Sequence, residues 1–166
     1  MFLVMSWTDV LLLGYYLDET QVAIYSIAFK ISTVVTIALY AINAIASPQF
    51  SELHESDQAL QLKAHAMKIA KLNLFLTIPI ILGIVVLSSF ILAFFGEDYL
   101  LGAAPLVILS FGQLFNVFMG PVGNALNMAN AQQSVFKISA ITLTINLLLN
   151  LILIPDYGLL GASIAT

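Results

Sequence analysis

The sequence predicts an all-α, polytopic transmembrane helix bundle of five spans plus the start of a sixth, and three observations carry that prediction. Apolar residues make up 61% of the 166 and charged residues only 8%, with a mean hydropathy of +1.03. A soluble domain is about 25% charged, so this chain has too little charge to cover a globule in water. Charge-free intervals recur at 31–51, 72–96, 99–136 and 138–155, near or above the roughly 20 residues a helix needs to cross a bilayer core of about 30 Å. These runs are continuously apolar and lack the period-two alternation of a membrane barrel.

The first span is expected at Phe2 to Leu17. Asp18-Glu19-Thr20-Gln21 is too polar for hydrocarbon and turns the chain into the second span, Val22 to Ser47, which Ser47-Pro48 closes. The third is expected at Leu72 to Phe95 and ends at Gly96-Glu97-Asp98. The fourth is Ala103 to Leu126, with Pro105 in its first turn, where a missing N–H costs nothing. The fifth is Ile138 to Ile154, closed by Pro155-Asp156-Tyr157-Gly158, and a sixth begins at Gly158. Pro79 and Pro121 fall inside the third and fourth spans, where proline kinks a helix, either as a static bend or where the helix must move. All six segments read as one partial membrane domain.

Orientation follows from lysine placement, because acidic residues carry little topological weight. Apart from the intramembrane Lys30, the lysines are Lys63, Lys68, Lys71 and Lys137, all between the second and third spans or at the start of the fifth. The other hairpins carry Asp18, Glu19, Glu97, Asp98 and Asp156 without a lysine. This alternation predicts a cytoplasmic N-terminus, with the loops before the third and fifth spans also cytoplasmic. Within 57–71, Leu62, Ala66 and Ile69 share a narrow apolar face. That segment either lies in the interface with its lysines near anionic headgroups, or continues as a solvated helix into the third span.

Several function classes are excluded or unsupported. There is no Arg, and a pI near 4.8 leaves no basic footprint for nucleic acid. Zero Cys removes disulfides, thiolate metal sites and thiol catalysis. No phosphate-binding glycine loop, HExxH or GxSxG is present, so neither an enzyme activity nor a cofactor is expected. His54 and His65 have no ligand spacing around them and read as polar loop residues. The first 17 residues have no charged n-region, so they are no signal peptide. The apolar start and the unfinished helix at Gly161 to Thr166 suggest a piece of a larger bundle.

Polar residues inside the spans are the candidate site. Gln113, Asn116, Gly120, Asn124 and Asn127 recur at spacings of three and four, on one face in and just after the fourth span. The fifth repeats this with Ser139, Thr142, Asn146 and Asn150, and the second carries Ser26, Lys30, Thr33 and Tyr40. The third has only Asn73, Thr77, Ser88 and Ser89, away from its middle, and reads as scaffold. Each amide alone could be helix-packing glue, worth roughly 0.6 kcal/mol on average. Three stripes together could wall a hydrated cavity.

Short motifs in order add a resemblance. Trp7-Thr8-Asp9, Leu13-Gly14 and Val22-Ala23-Ile24-Tyr25-Ser26-Ile27-Ala28-Phe29-Lys30 are followed by Ser47-Pro48-Gln49-Phe50-Ser51-Glu52-Leu53 and Phe95-Gly96-Glu97-Asp98-Tyr99. Leu153-Ile154-Pro155-Asp156-Tyr157-Gly158 and Gly161-Ala162-Ser163-Ile164-Ala165-Thr166 complete the set. The pattern resembles the bacterial polysaccharide (O-antigen type) flippases of the multidrug/oligosaccharidyl-lipid/polysaccharide exporter superfamily. That resemblance implies a fragment from the second of two helical lobes. It also implies alternating-access transport of polyprenyl-pyrophosphate-linked oligosaccharide across the bacterial cytoplasmic membrane, with membrane lipids and the remaining helices of the transporter as partners. An ion-coupled multidrug exporter of the same superfamily, or a non-transporting membrane subunit or glycan enzyme, are the alternatives.

Asp9 and Lys30 stand out because an unpaired charge near mid-bilayer costs roughly 3 kcal/mol or more. Asp9 lies nine residues before Asp18 and Lys30 nine residues after Gln21. At about 1.5 Å per residue, antiparallel helices would place both about 13 Å below one surface. The expectation is a pair: a structural pin between the first two spans, or a lysine that meets pyrophosphate or an acidic sugar while Asp9 holds it between loads. Asp9 is also a candidate carrier of a coupling proton.

Overall fold

A computed structural model describes residues 2–55, 59–128 and 131–166. Among these residues the chain is helical from end to end, without a strand. In order it forms α1 (Phe2–Tyr16), α2 (Glu19–Thr33), α3 (Thr36–Glu55), α4 (Ala59–Ala93), a 3-10 turn (Glu97–Gly102), α5 (Ala103–Met128), α6 (Gln132–Tyr157) and α7 (Leu159–Ala165). Three helical stretches among the described residues, 60–93, 97–128 and 132–157, are long and apolar enough to cross a membrane. This is a multi-pass, all-α membrane protein.

The first hairpin is tighter than the sequence suggests. Only Leu17 and Asp18 separate α1 from α2, because Asp18 caps α2, its carboxylate accepting from the Gln21 N–H at 2.8 Å. The expected four-residue connector is therefore a two-residue turn, and three of its residues belong to α2.

The expected second span is two helices rather than one. Its stripe of hydroxyls bonds backward: Ser32 Oγ donates to the Phe29 carbonyl, Thr33 Oγ1 to that of Lys30 and Thr36 Oγ1 to that of Thr33, at 2.7–2.8 Å. The Val34 and Ile37 amides donate to carbonyls three residues back. Such back-bonding and tightening interrupt an α-helical ladder, here at Val34 and Val35. Ser47-Pro48 does not end the helix: α3 runs through Pro48 to Glu55, with Ser47 Oγ donating to the Asn43 carbonyl beside the proline at 2.6 Å.

Further on, α4 is continuous for 35 residues through Pro79, so the described part of 57–71 continues into the third span as a single helix; residues 57 and 58 lie outside the described residues. At about 1.5 Å per residue it is about 52 Å long and outreaches a bilayer core. The buried positions Ala66, Ala70, Asn73, Thr77, Ile81, Ile84, Ser88 and Leu92 form its inner seam, stepping by three and four as one helix face must.

The hub is α5, which packs antiparallel on α4 across the 3-10 turn and also meets α2, α3 and α7. Leu13, Tyr25, Ala28, Leu106, Leu109, Val117, Ile154 and Ala162 bury one core around it, and Ala46, Phe50, Ala66 and Ala125 a smaller one between α3, α4 and α5. Chain reversal between α6 and α7 turns on Gly158, whose φ of +55° suits a residue without Cβ. Three residues on, Gly161 lies so close to the Leu153 carbonyl that a Cβ there would overlap it. That contact brings α7 onto α6, and with it Thr166 towards α1.

Candidate functional site

Asp9, in the middle of α1, is fully buried. Its carboxylate draws donors from α2, from α6 and from the residue that follows α7. Oδ1 accepts from the side-chain amides of Asn146 at 3.3 Å and Asn150 at 2.5 Å, both on α6. Oδ2 accepts from the Tyr25 hydroxyl of α2 at 3.2 Å and from Thr166 Oγ1, after α7, at 2.6 Å. A carboxylate offers about four acceptor positions, and these four donors fill them. A buried charge is tolerable on those terms.

The sequence placed Asp9, Asn146 and Asn150 among the candidate residues, and the structure brings all three together. Four residues apart on α6, the two asparagines share a face, and both are buried. Lys30 is not among the partners of Asp9. The two-residue turn shifts the hairpin register by about one helical turn, so Tyr25 rather than Lys30 comes level with Asp9. Lys30 also sits five residues beyond Tyr25, about 140° around the helix, and is exposed. The expected ion pair is replaced by a tyrosine.

The polar stripe of α5 divides along its length. Gln113 is buried and accepts from the Asn116 amide at 3.0 Å. Together with Gly112, Ser163 and Thr166 they line a cleft of about 230 Å³ between α5 and α7. Asn124, two turns below Asn116, instead donates to the Asn43 carbonyl at 3.3 Å and to Ser47 Oγ at 2.8 Å, tying α5 to α3. Gly120 between them abuts Leu39. On α6, Thr142 is exposed and bonds its own helix. Of the polar residues on α2 and α3, Tyr40 is exposed. The cleft walls therefore come from α5 and α7.

Thr166 belongs to both features: it bonds Asp9 and lines the cleft. The cleft is thus one hydroxyl away from the buried carboxylate. Chemically, this arrangement can hold one proton at Asp9 and present amides and hydroxyls to an oxygen-rich ligand. Among the described residues no group of three His, Cys, Asp or Glu gathers as a metal site.

A family model described as "Polysaccharide biosynthesis protein" matches residues 1–104, which include α1, α2, α3 and α4. The chain belongs to that family.

Curated relatives agree. A probable flippase of Haloferax volcanii is 31% identical over 164 residues, covering 97% of this chain and 34% of the relative. A probable low-salt glycan biosynthesis flippase of the same organism is 26% identical over 162 residues, with 97% and 34% covered. A capsular polysaccharide biosynthesis protein of Staphylococcus aureus is 28% identical over 128 residues, 75% of this chain and 32% of the relative. The chain spans about a third of the length of these relatives. No solved structure matches it.

Within this polysaccharide biosynthesis family member, sequence reasoning missed two of the four partners of Asp9. Tyr25 carries a signal, since a tyrosine in an apolar span needs a partner for its hydroxyl. Thr166 carried none, because nothing in local spacing brings position 166 to position 9.

Proposed function

We propose that the chain is part of a flippase that moves polyprenyl-pyrophosphate-linked oligosaccharide across the cell's cytoplasmic membrane during surface polysaccharide synthesis, and that it acts as a transporter rather than an enzyme. The observation that carries this reading is a buried carboxylate joined through Thr166 to a cleft that Gln113 and Asn116 line inside an apolar bundle. The likeness to a probable low-salt glycan biosynthesis flippase supports a glycan as cargo. In this reading Asp9 with Asn146 and Asn150 is the coupling site, where gain or loss of one proton shifts the helices that supply its donors. Gln113 and Asn116 contact glycan or headgroup oxygens. Asn124 holds α5 to α3, and Lys30 meets an anionic group of the substrate from outside the Asp9 cluster. A cation-drug exporter would need an acid open to its cargo, whereas the four acceptor positions of Asp9 are filled by protein donors.

The full arrangement is then α1, the α2–α3 pair, α4, α5 and α6 as five spans and α7 as the start of a sixth, in one partial membrane domain. The N-terminus and the loops before α4 and α6 face the cytoplasm. The remaining helices of the transporter and the surrounding lipids complete the site.

The test is complementation. The full-length protein should restore surface polysaccharide in a strain deleted for its own polysaccharide flippase, and Asp9→Ala should not, at equal membrane level. Failure of the wild-type protein to restore polysaccharide across a panel of such strains would contradict the reading.

A further inference from the structure

We propose that Thr166 is a positioning residue that relays the protonation of Asp9 into the cleft, so that an added proton turns a hydrogen-bond donor towards a phosphoryl group of the substrate. This inference rests on the flippase reading given above.

The argument is a count of hydrogens. With Asp9 ionised, Oδ2 accepts from Thr166 Oγ1 at 2.6 Å, and the single hydroxyl hydrogen of Thr166 is spent there. The cleft then meets only the lone pairs of that oxygen. When Oδ2 takes up one proton from solvent, it becomes a donor and needs an acceptor. The asparagine Nδ2 groups on Oδ1 cannot accept. The Tyr25 hydroxyl stands at 3.2 Å and Thr166 Oγ1 at 2.6 Å, so the proton is donated to Thr166. The Thr166 hydrogen must leave Oδ2, and the open direction is the cleft. Tyr25, displaced as a donor to Oδ2, still has Thr166 Oγ1 within 3.4 Å. One proton is gained, no bond between heavy atoms changes, and the cleft wall switches from acceptor to donor.

The competing acceptors in the cluster are the side-chain oxygens of Asn146 and Asn150, buried without a partner, whereas Thr166 Oγ1 already stands 2.6 Å from Oδ2. Of the elements packed on α1, α2 turns Tyr25 to the carboxylate, α6 turns two neutral amides and α7 leads into Thr166. Tyr25 is the titratable group that faces it among the described residues, and no charged side chain does. On the cleft side, Gln113 Oε1 already accepts from Asn116, which leaves it one lone pair, and a ligand oxygen competes with that lone pair for the new donor. Phosphoryl oxygens only accept, so they gain from the switch, and loss of the Asp9 charge acts in the same direction.

Purified full-length protein and farnesyl pyrophosphate, a short polyprenyl pyrophosphate, provide the test by calorimetry at neutral and acid pH. The wild type should bind about tenfold tighter at acid pH, the equivalent of one hydrogen bond. Thr166→Ser should keep that difference, and Asp9→Asn should bind tightly at both pH values. Thr166→Val, which keeps the shape without the hydroxyl, should lose most of the pH difference; Thr166→Ala repeats this arm where the valine variant does not fold. Titration of the probe itself is common to all variants. A Thr166→Val or Thr166→Ala protein with the full wild-type pH difference overturns the relay alone. A wild type that fails to bind farnesyl pyrophosphate at either pH contradicts the glycan-lipid reading as well.

Discussion

Thr166 Oγ1 lies 2.6 Å from Oδ2 of Asp9, although 157 positions separate them in the chain. The contact requires α7 to fold back against α6 and α6 to lie along α1. A single hydrogen bond therefore reports whether three helices are in place. Its position at the wall of the α5–α7 cleft gives it functional interest as well.

Charge swapping distinguishes the observed cluster from an ion pair. Asp9→Lys with Lys30→Asp would place an ammonium group, which can only donate, among four donors. The double variant is expected to lose flipping and to be destabilised by more than about 3 kcal/mol. Thermal unfolding of the full-length protein in detergent checks it; a swap with wild-type stability would restore the ion-pair model.

Removing one donor should be milder. Tyr25→Phe deletes the 3.2 Å bond to Asp9 and leaves the ring packed in the core. The expected loss is about 1–3 kcal/mol, with flipping reduced but measurable. Asn150→Leu, which removes the shorter of the two amide bonds on Oδ1, should cost at least as much in the same unfolding measurement.

Gly161→Ala tests the packing that delivers Thr166. The added methyl group meets the Leu153 carbonyl, which belongs to helix backbone and cannot swing aside. A loss of about 1–3 kcal/mol is expected, together with a fall in flipping larger than in Tyr25→Phe, because α7 as a whole is displaced. Equal activity of Gly161→Ala and wild type would show that the α6–α7 contact is dispensable.

Much of this site was legible in the sequence, for reasons that can be located. Asp9 is conspicuous because charge is costly in hydrocarbon. Asn146 and Asn150 are conspicuous because amides at a four-residue spacing mark one helix face. The partner of Asp9 was misassigned through a small error of register: Glu19, Thr20 and Gln21 read as connector but lie in α2, capped by Asp18. One helical turn of offset exchanged Lys30 for Tyr25. The break at Val34–Val35 was hidden for a related reason, since apolar periodicity continues across it while Ser32, Thr33 and Thr36 redirect their hydroxyls to the backbone. Gln113 and Asn124 lie on one stripe, yet one lines a cleft and the other ties down α3, because neighbours along a helix change with depth.

Topology is checked by labelling. In a Cys-free full-length background, Cys at Thr20 should react with a membrane-impermeant thiol reagent added to intact cells, and Cys at Gln61 only after permeabilisation. The reverse pattern would invert the lysine-based orientation.

The most direct measurement is flipping itself. Full-length protein reconstituted into liposomes with a fluorescent polyprenyl-pyrophosphate-linked oligosaccharide should move it between leaflets, read as loss of protection from a membrane-impermeant quencher. Asp9→Asn, matched for amount and fold, should lower the rate at least tenfold. An Asp9→Asn protein that flips at the wild-type rate would contradict the account.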